Sequence, residues 1–278
     1  MMHSHSLVVS SAQDIGNSPY TIVNKLPRPY TAVKNRLGLR SLTIPYSWFN
    51  VTSAFGNLAG LSYTWADGVT YNVPFPPGNY NVEAINGYLQ DQMRVNGHYL
   101  VNQEGDNVYY LSLNVNLLYY AVTLTSIPIP TSLPAGWSNP GVVLNGKAPQ
   151  LVVQPAPNTF GKLIGYEAGS YPATLGTVKT SFNGQKPPQI SGVVSVNVTC
   201  NWVYDSRFSS RPSLIASFTP DSDFGSTLSY EPSTLITLPV TDYQYSDIEL
   251  SFYDQDFRPL QIHDREHILC NLLLEHPE

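Results

Sequence analysis

The 278 residues carry a formal charge of −6 at pH 7, and only 12% of them are charged, about half the usual share. Without clustered cations to displace counterions from phosphates, a general nucleic-acid binder is excluded and no strong nucleic-acid binding is expected. No apolar run approaches the roughly twenty residues that span a bilayer, so no membrane span is expected. In place of Lys and Glu stand 19 Tyr, 23 Pro and 19 Gly, residues of strands and turns, which makes an all-β chain the starting expectation. A Tyr-rich, Lys-poor surface also suits permanent packing against neighbours. The opening Met1-Met2-His3-Ser4-His5-Ser6 lacks the layout of a secretory signal, so the chain is expected to be soluble and made in a reducing compartment.

Residues 1–36 read as an N-terminal arm: polar, interrupted by Pro19, Pro27 and Pro29, with Tyr20, Leu26 and Tyr30 as apolar anchors. Such a segment can order across a neighbouring subunit. The sparse cations Lys25, Arg28, Lys34, Arg36 and Arg40 read as a solvated or partner-facing stretch. From residue 37 a folded domain is expected to run to 278. Leu37 and Leu39, then Leu42 and Ile44, suggest a strand with a one-residue slip, stopped by Pro45. Tyr46-Ser47-Trp48-Phe49-Asn50-Val51 is an aromatic-rich connection. Residues 61–65 and 69–73 form a hairpin around Asp67-Gly68. Val82, Ile85, Leu89 and Met93 share one face of a helix, with Asn81 as N-cap, Glu83 at its positive end and Asn96-Gly97 at its close. Strands are expected at 99–101, 108–113 and 117–124, with Asn114-Val115-Asn116 between the last two.

Ten prolines fall in residues 126–190, which read as a Pro/Gly-rich insertion with edge strands at 142–144 and 150–153 and a short helix near 159–164. Beyond it, Val194, Val196, Val198, Cys200 and Trp202 alternate onto one strand face, followed by strands at 214–218 and 235–238. Ile248, Leu250 and Phe252 open the last part, Asp254-Gln255-Asp256-Phe257-Arg258-Pro259 turns the chain, and Leu260 and Ile262 resume the alternation. After His263-Asp264-Arg265-Glu266-His267, a last strand carries Ile268, Cys270, Leu272 and Leu274. A terminal strand this apolar must complete a sheet whose other members come from far earlier. About ten strands, one helix and no βαβ rhythm fit a sandwich or jelly roll closed by its final strand.

No candidate constellation supports an enzyme. The two histidines of the 263–267 run are four apart but lie between strands, so a solvated turn is the reading rather than a metal site. Asp254-x-Asp256 and Asp221-x-Asp223 lack the glycine and distal glutamate of a calcium loop. There is no GxSxG, no phosphate loop and no dinucleotide fingerprint. Cys200 and Cys270 sit in strand alternation and read as buried free thiols. Asn50-Val51-Thr52 and Asn197-Val198-Thr199 match the glycosylation triplet by chance. No metal and no cofactor is expected.

Three segments in order carry a resemblance: Ile44 through Val51 ahead of Gly56-Asn57; Pro77-Gly78-Asn79-Tyr80-Asn81-Val82-Glu83-Ala84-Ile85-Asn86 leading to Leu89-Gln90; and Phe252 through Leu260 followed by the closing strand. Together the set resembles the minor capsid (penton) proteins of virophages, polinton-like viruses and adintoviruses. The resemblance implies a single jelly roll of two four-stranded antiparallel sheets, here with one short helix and the Pro-rich insertion. It implies a structural capsid protein of the virion, made in the host cytoplasm and assembled as homopentamers at icosahedral vertices. Implied partners are copies of itself, the major capsid protein and a host receptor. On this reading the arm faces inward, and its removal should spare the barrel but prevent incorporation. Interface residues are expected at Tyr20, Leu26, Tyr30 and Arg36, at Trp48 and Phe49 of the connection, and at Trp137 of the insertion. Two rivals stand beside it. One is a receptor- or carbohydrate-binding β-sandwich of a spike or fibre, with Trp137 stacking on sugars. The other is a cupin-like enzyme, which six scattered histidines do not supply.

Overall fold

A computed structural model describes residues 3–204 and 213–276. They fall into two compact units: residues 1–48 with 193–278, and residues 49–192. The first is an all-β jelly roll of eight main strands. In chain order these are β1 (His3–Ser10), β2 (Thr21–Thr31), β3 (Arg36–Pro45), β4 (Val196–Cys200), β5 (Leu214–Phe218), β6 (Thr227–Tyr230), β7 (Gln244–Tyr253) and β8 (Leu269–His276). One sheet runs β1-β8-β3-β6, with the short Leu238–Pro239 strand also on β3; the other runs β5-β4-β7-β2. The antiparallel pairs nest: β1 with β8, β2 with β7, β3 with β6, β4 with β5. That nesting is a ribbon folded over on itself, the winding of a jelly roll.

The closing strand behaves as its pattern requires. β8 lies between β1 and β3, and Cys270, Leu272 and Leu274 point inward opposite Leu42, Leu39 and Leu37. The slip read in β3 is a β-bulge. The register shifts between Asn271 and Leu272, which face Ser41 and Leu39 and leave Arg40 as the extra, exposed residue. One extra residue moves the apolar set from odd to even positions while keeping it on the core face. β4 is an interior strand buried at all five positions, so Asn197 and Thr199 are covered alongside Val196, Val198 and Cys200; Val194, ahead of it, is exposed.

The N-terminal stretch differs from expectation. It is not an arm: residues 3–10 pair along their length with β8, and residues 21–25 and 30–31 pair with β7 on either side of an irregular stretch at 26–29 that holds Pro27 and Pro29. β1 and β2 are the outermost strands of their sheets. Proline is tolerated at such an edge because one row of backbone N–H groups has no ladder partner to lose. Pro27 and Pro29 are exposed there, and they gave β2 its loop-like composition. Removing this stretch would strip a strand from each sheet.

The second correction concerns residues 49–192. The expected insertion at 126–190 is the latter part of a larger unit inserted between β3 and β4. It contains a four-stranded sheet of residues 169–171, 150–153, 61–64 and 70–73, a three-stranded sheet of 180–183, 121–126 and 111–116, and a two-stranded ribbon of 100–101 and 107–108. Helix α1 (Val82–Val95) is capped by Asn81, whose Oδ1 accepts the Ala84 N–H at 2.8 Å. Its buried face is Val82, Ile85, Leu89 and Met93. These join Tyr63, Trp65, Phe75, Leu111, Leu124, Leu151 and Phe160 in one apolar core. A short helix, α2 (Phe160–Ile164), lies where the sequence places one. The 142–144 stretch is irregular, and the chain expected as a strand at 117–124 is a turn over 117–120 followed by a strand at 121–126.

Candidate interaction surfaces

The three resemblance motifs are internal fastenings. Asn50 is 4% exposed and sits where the chain enters the second unit. Its Nδ2 donates to the carbonyls of Tyr80 and Ile190 (both 2.8 Å), and its Oδ1 accepts the Tyr80 N–H at 2.9 Å. The start of the unit is thereby tied to its last residues. Asn57 Nδ2 donates to the Asn50 carbonyl at 2.8 Å and its Oδ1 accepts the Thr52 N–H at 2.9 Å, while Val51 and Gly78 exchange backbone hydrogen bonds. The first two motifs are thus one clamp.

The third motif is a turn built on Asp254, 2% exposed. Its Oδ1 accepts the N–H groups of Asp256 (2.8 Å) and Arg258 (2.9 Å), and its Oδ2 pairs with Arg258 Nε at 2.7 Å. Arg258 Nη2 also meets Asp256 Oδ2 at 2.7 Å. A buried carboxylate survives only with such partners. The 263–267 run is pinned in the same manner: Arg265 pairs with Asp14 and donates to the Thr21 carbonyl at 2.7 Å. Both glycosylation-triplet asparagines are buried, and Asn197 donates to the Asp254 carbonyl at 2.8 Å.

The expected interface residues separate. Trp48 is 3% exposed and stacks on Tyr46 at 4.4 Å, so within one chain it is a buried residue of the jelly roll. Phe49 and Leu26 are half-buried. Tyr20 is half-buried against Tyr253, and Trp137 is half-buried against the core of the second unit. Tyr30 and Arg36 come together at one end of the jelly roll. The Tyr30 ring stacks on Trp202 at 5.5 Å and its hydroxyl meets His276 Nδ1 at 3.2 Å; burial raises its pKa. Arg36 is exposed and donates through Nε to Thr237 Oγ1 at 3.0 Å.

That end also displays residues the sequence reading did not single out: Val33 (56% exposed), Ile236 (67%) and Tyr243 (66%). The loops of Val33 and Tyr243 are joined by Ala32 N–H to the Tyr243 carbonyl (2.9 Å) and Lys34 N–H to Asp242 Oδ1 (2.6 Å), and Ile236 adjoins Thr237, which Arg36 holds. Gly38 is required beneath them, because a Cβ there would stand 2.7 Å from the Ile236 carbonyl oxygen. The only available signal was an apolar pair, Leu235-Ile236, in a stretch read as a strand.

Reactive side chains are subdued. Cys200 and Cys270 are free and buried; burial pushes the Cys200 thiol up to about 12 and raises Cys270 as well, so neither is a ready nucleophile. Among the described residues no cluster of three or more His, Cys, Asp or Glu is placed to hold a metal, and no helix is long and apolar enough to cross a membrane. A cavity of about 320 Å³ in the second unit is lined by Gln154, Asn158, Lys162, Lys186 and Gln189, with Lys186 paired to Glu167 at 3.0 Å. Elsewhere in that unit His98 is stacked on Trp65 at 4.4 Å, its Nδ1 2.8 Å from the Tyr63 hydroxyl. Desolvation lowers its pKa, opposed by Asp67.

The described residues thus form an eight-stranded jelly roll with a second β-rich unit inserted in the chain between β3 and β4. Among solved structures the chain is similar to the mavirus penton protein, at 10% identity over 99% of each chain and a TM-score of 0.47. It is also similar to a chain of the Sputnik virophage, at 12% identity over 99% of this chain and 97% of that one, with a TM-score of 0.39. No family model matches the sequence, and no curated protein matches it significantly.

Proposed function

We infer that this protein is a structural subunit of a virus capsid, a penton that assembles as a ring of five copies at an icosahedral vertex and meets the major capsid protein. The observation that carries the reading is the nested strand pairing, β1 with β8 through β4 with β5, interrupted between β3 and β4 by a second β-rich unit. The three motifs that resemble those of penton proteins of virophages and their kin support it, since they hold that interruption and the β7 turn in shape. The low charge supports permanent contacts. The end of the jelly roll bearing Val33, Arg36, Ile236 and Tyr243 is the surface we assign to contacts between copies, a heterologous, ring-closing interface. Virion location and host-receptor contact follow from this role.

Negative-stain imaging of the purified chain should show five-membered rings, and Ile236→Asp with Tyr243→Asp should return them to single subunits with unchanged melting. A wild-type chain that stays monomeric at every concentration, alone and with the major capsid protein, overturns the assignment. Strong, specific glycan-array binding by such a monomer would favour the sugar-binding reading.

A further inference from the structure

The hairpin of strands 111–116 and 121–126 ends in a four-residue turn, Leu117-Leu118-Tyr119-Tyr120, closed by the Asn116–Ala121 pair. Turns of this kind normally hold Gly, Asn or Asp, which are soluble and tolerate positive φ. Here all four side chains are apolar or aromatic and stand in the open: Leu117 and Leu118 are each 84% exposed, Tyr119 65% and Tyr120 74%. Tyr120 has φ +49, a left-handed conformation that strains a bulky residue. Local turn chemistry is broken with little packing gained among the described residues, the signature of residues kept for an external partner.

We propose that this turn is a lipid-surface anchor, inserting Leu117 and Leu118 into the boundary of headgroups and acyl chains with Tyr119 and Tyr120 at headgroup level. Charge is the first argument. Residues 107–146 contain no Asp, Glu, Lys or Arg, nor does the neighbouring 180–183 strand, so shallow insertion drags no ion out of water. Shape is the second. Taking about 200 Å² per side chain, the exposed tip offers roughly 600 Å², less than the ~800 Å² per partner of a stable protein interface. It is also the tip of a hairpin that ends beyond the last pair of the neighbouring 180–183 strand, Asn183 with Thr123, and a projecting tip enters a deformable surface more readily than it forms a flat contact. Composition is the third: leucine beside tyrosine matches the graded polarity of a bilayer interface. Behind the tip, neutral groups satisfy one another, with Asn116 Nδ2 donating to Thr123 Oγ1 at 3.0 Å and Thr123 Oγ1 to Asn183 Oδ1 at 2.6 Å. An insertion of about 5–10 Å leaves the turn backbone within reach of headgroup water. The anchor does not depend on the capsid reading.

Flotation of the full chain with neutral phosphatidylcholine vesicles tests it. Binding should persist at high salt, gain little from added phosphatidylserine, and fall about tenfold or more in the Leu117→Asn, Leu118→Asn double variant at unchanged melting temperature. Leu118→Trp should bind and be quenched by brominated lipid at shallow depth. Failure of the wild type to float at millimolar lipid overturns the proposal. So does equal flotation of the double variant, binding only to anionic vesicles, or a variant that loses self-association instead of lipid.

Discussion

Two ways of holding a β structure appear side by side. In the jelly roll, the connections around β7 and ahead of β8 are held by charged groups: Arg258 on Asp254 and Asp256, and Arg265 on Asp14. In residues 49–192 the equivalent positions are held by neutral amides and hydroxyls. Asn50 and Asn57 fasten the entrance, Tyr166 Oη donates to the Phe182 carbonyl at 2.6 Å while accepting the Leu124 N–H, and Asn96 and Tyr63 lead to His98. The ion pairs of that unit, Arg94–Asp91 and Lys186–Glu167, lie in solvent and contribute little. The jelly roll joins segments from opposite ends of the chain, whereas the second unit is continuous and closed by its own Asn50–Ile190 contact. Long-range closure and local closure therefore call for different fasteners.

The largest expected effect breaks the first kind of closure. Deleting residues 269–276 removes the strand between β1 and β3 and should abolish the cooperative melt of the jelly roll, while residues 49–192 expressed alone should melt cooperatively. A truncated chain that keeps its full transition would show that β8 is dispensable. Next comes Asp254→Ala, which takes the acceptor from the Arg258 Nε–H and from the Asp256 and Arg258 backbone N–H groups and should cost about 3 kcal/mol in chemical denaturation. Asn50→Ala orphans the half-buried carbonyls of Tyr80 and Ile190 and the Tyr80 N–H, and should cost about 2 kcal/mol, seen in the 49–192 fragment; an equal loss in both variants would erase the distinction between charged and neutral fasteners. The smallest effect is a pH dependence. The folded-state pKa of His98 lies below its ordinary 6.5, so the unfolded chain takes up a proton first as pH falls. Stability of the 49–192 fragment should be full above about 6.5, decline below it and level off once the folded imidazole is also protonated. His98→Gln should flatten that slope, and an unchanged slope would place the titration elsewhere.

Several elements were legible in residue spacing. The face Val82, Ile85, Leu89, Met93 and its Asn81 cap marked α1; Asp67-Gly68 marked its hairpin, where Gly68 has φ +88; and the odd-to-even slip across Arg40 marked the β3 bulge. The candidate surfaces were less legible. Trp48 reads as an interface residue of an aromatic-rich connection, and its burial within the chain is set by what closes over it. The 117–120 turn was hidden by its own apolarity, since a solvent-facing turn of leucine and tyrosine contradicts the rule by which turns are found.

Side-chain order along the chain determined which stretches are extended, where the helix lies, that the tail must enter a sheet, and that the surface is poor in charge. Only the tertiary structure decided that residues 3–10 and 21–31 are sheet edges rather than an arm, and that residues 49–192 form a unit of their own between β3 and β4. The reason is physical. Period records which face of a segment is buried, whereas edge or centre, and membership of one unit or another, depend on partners far away in the chain that no local pattern names.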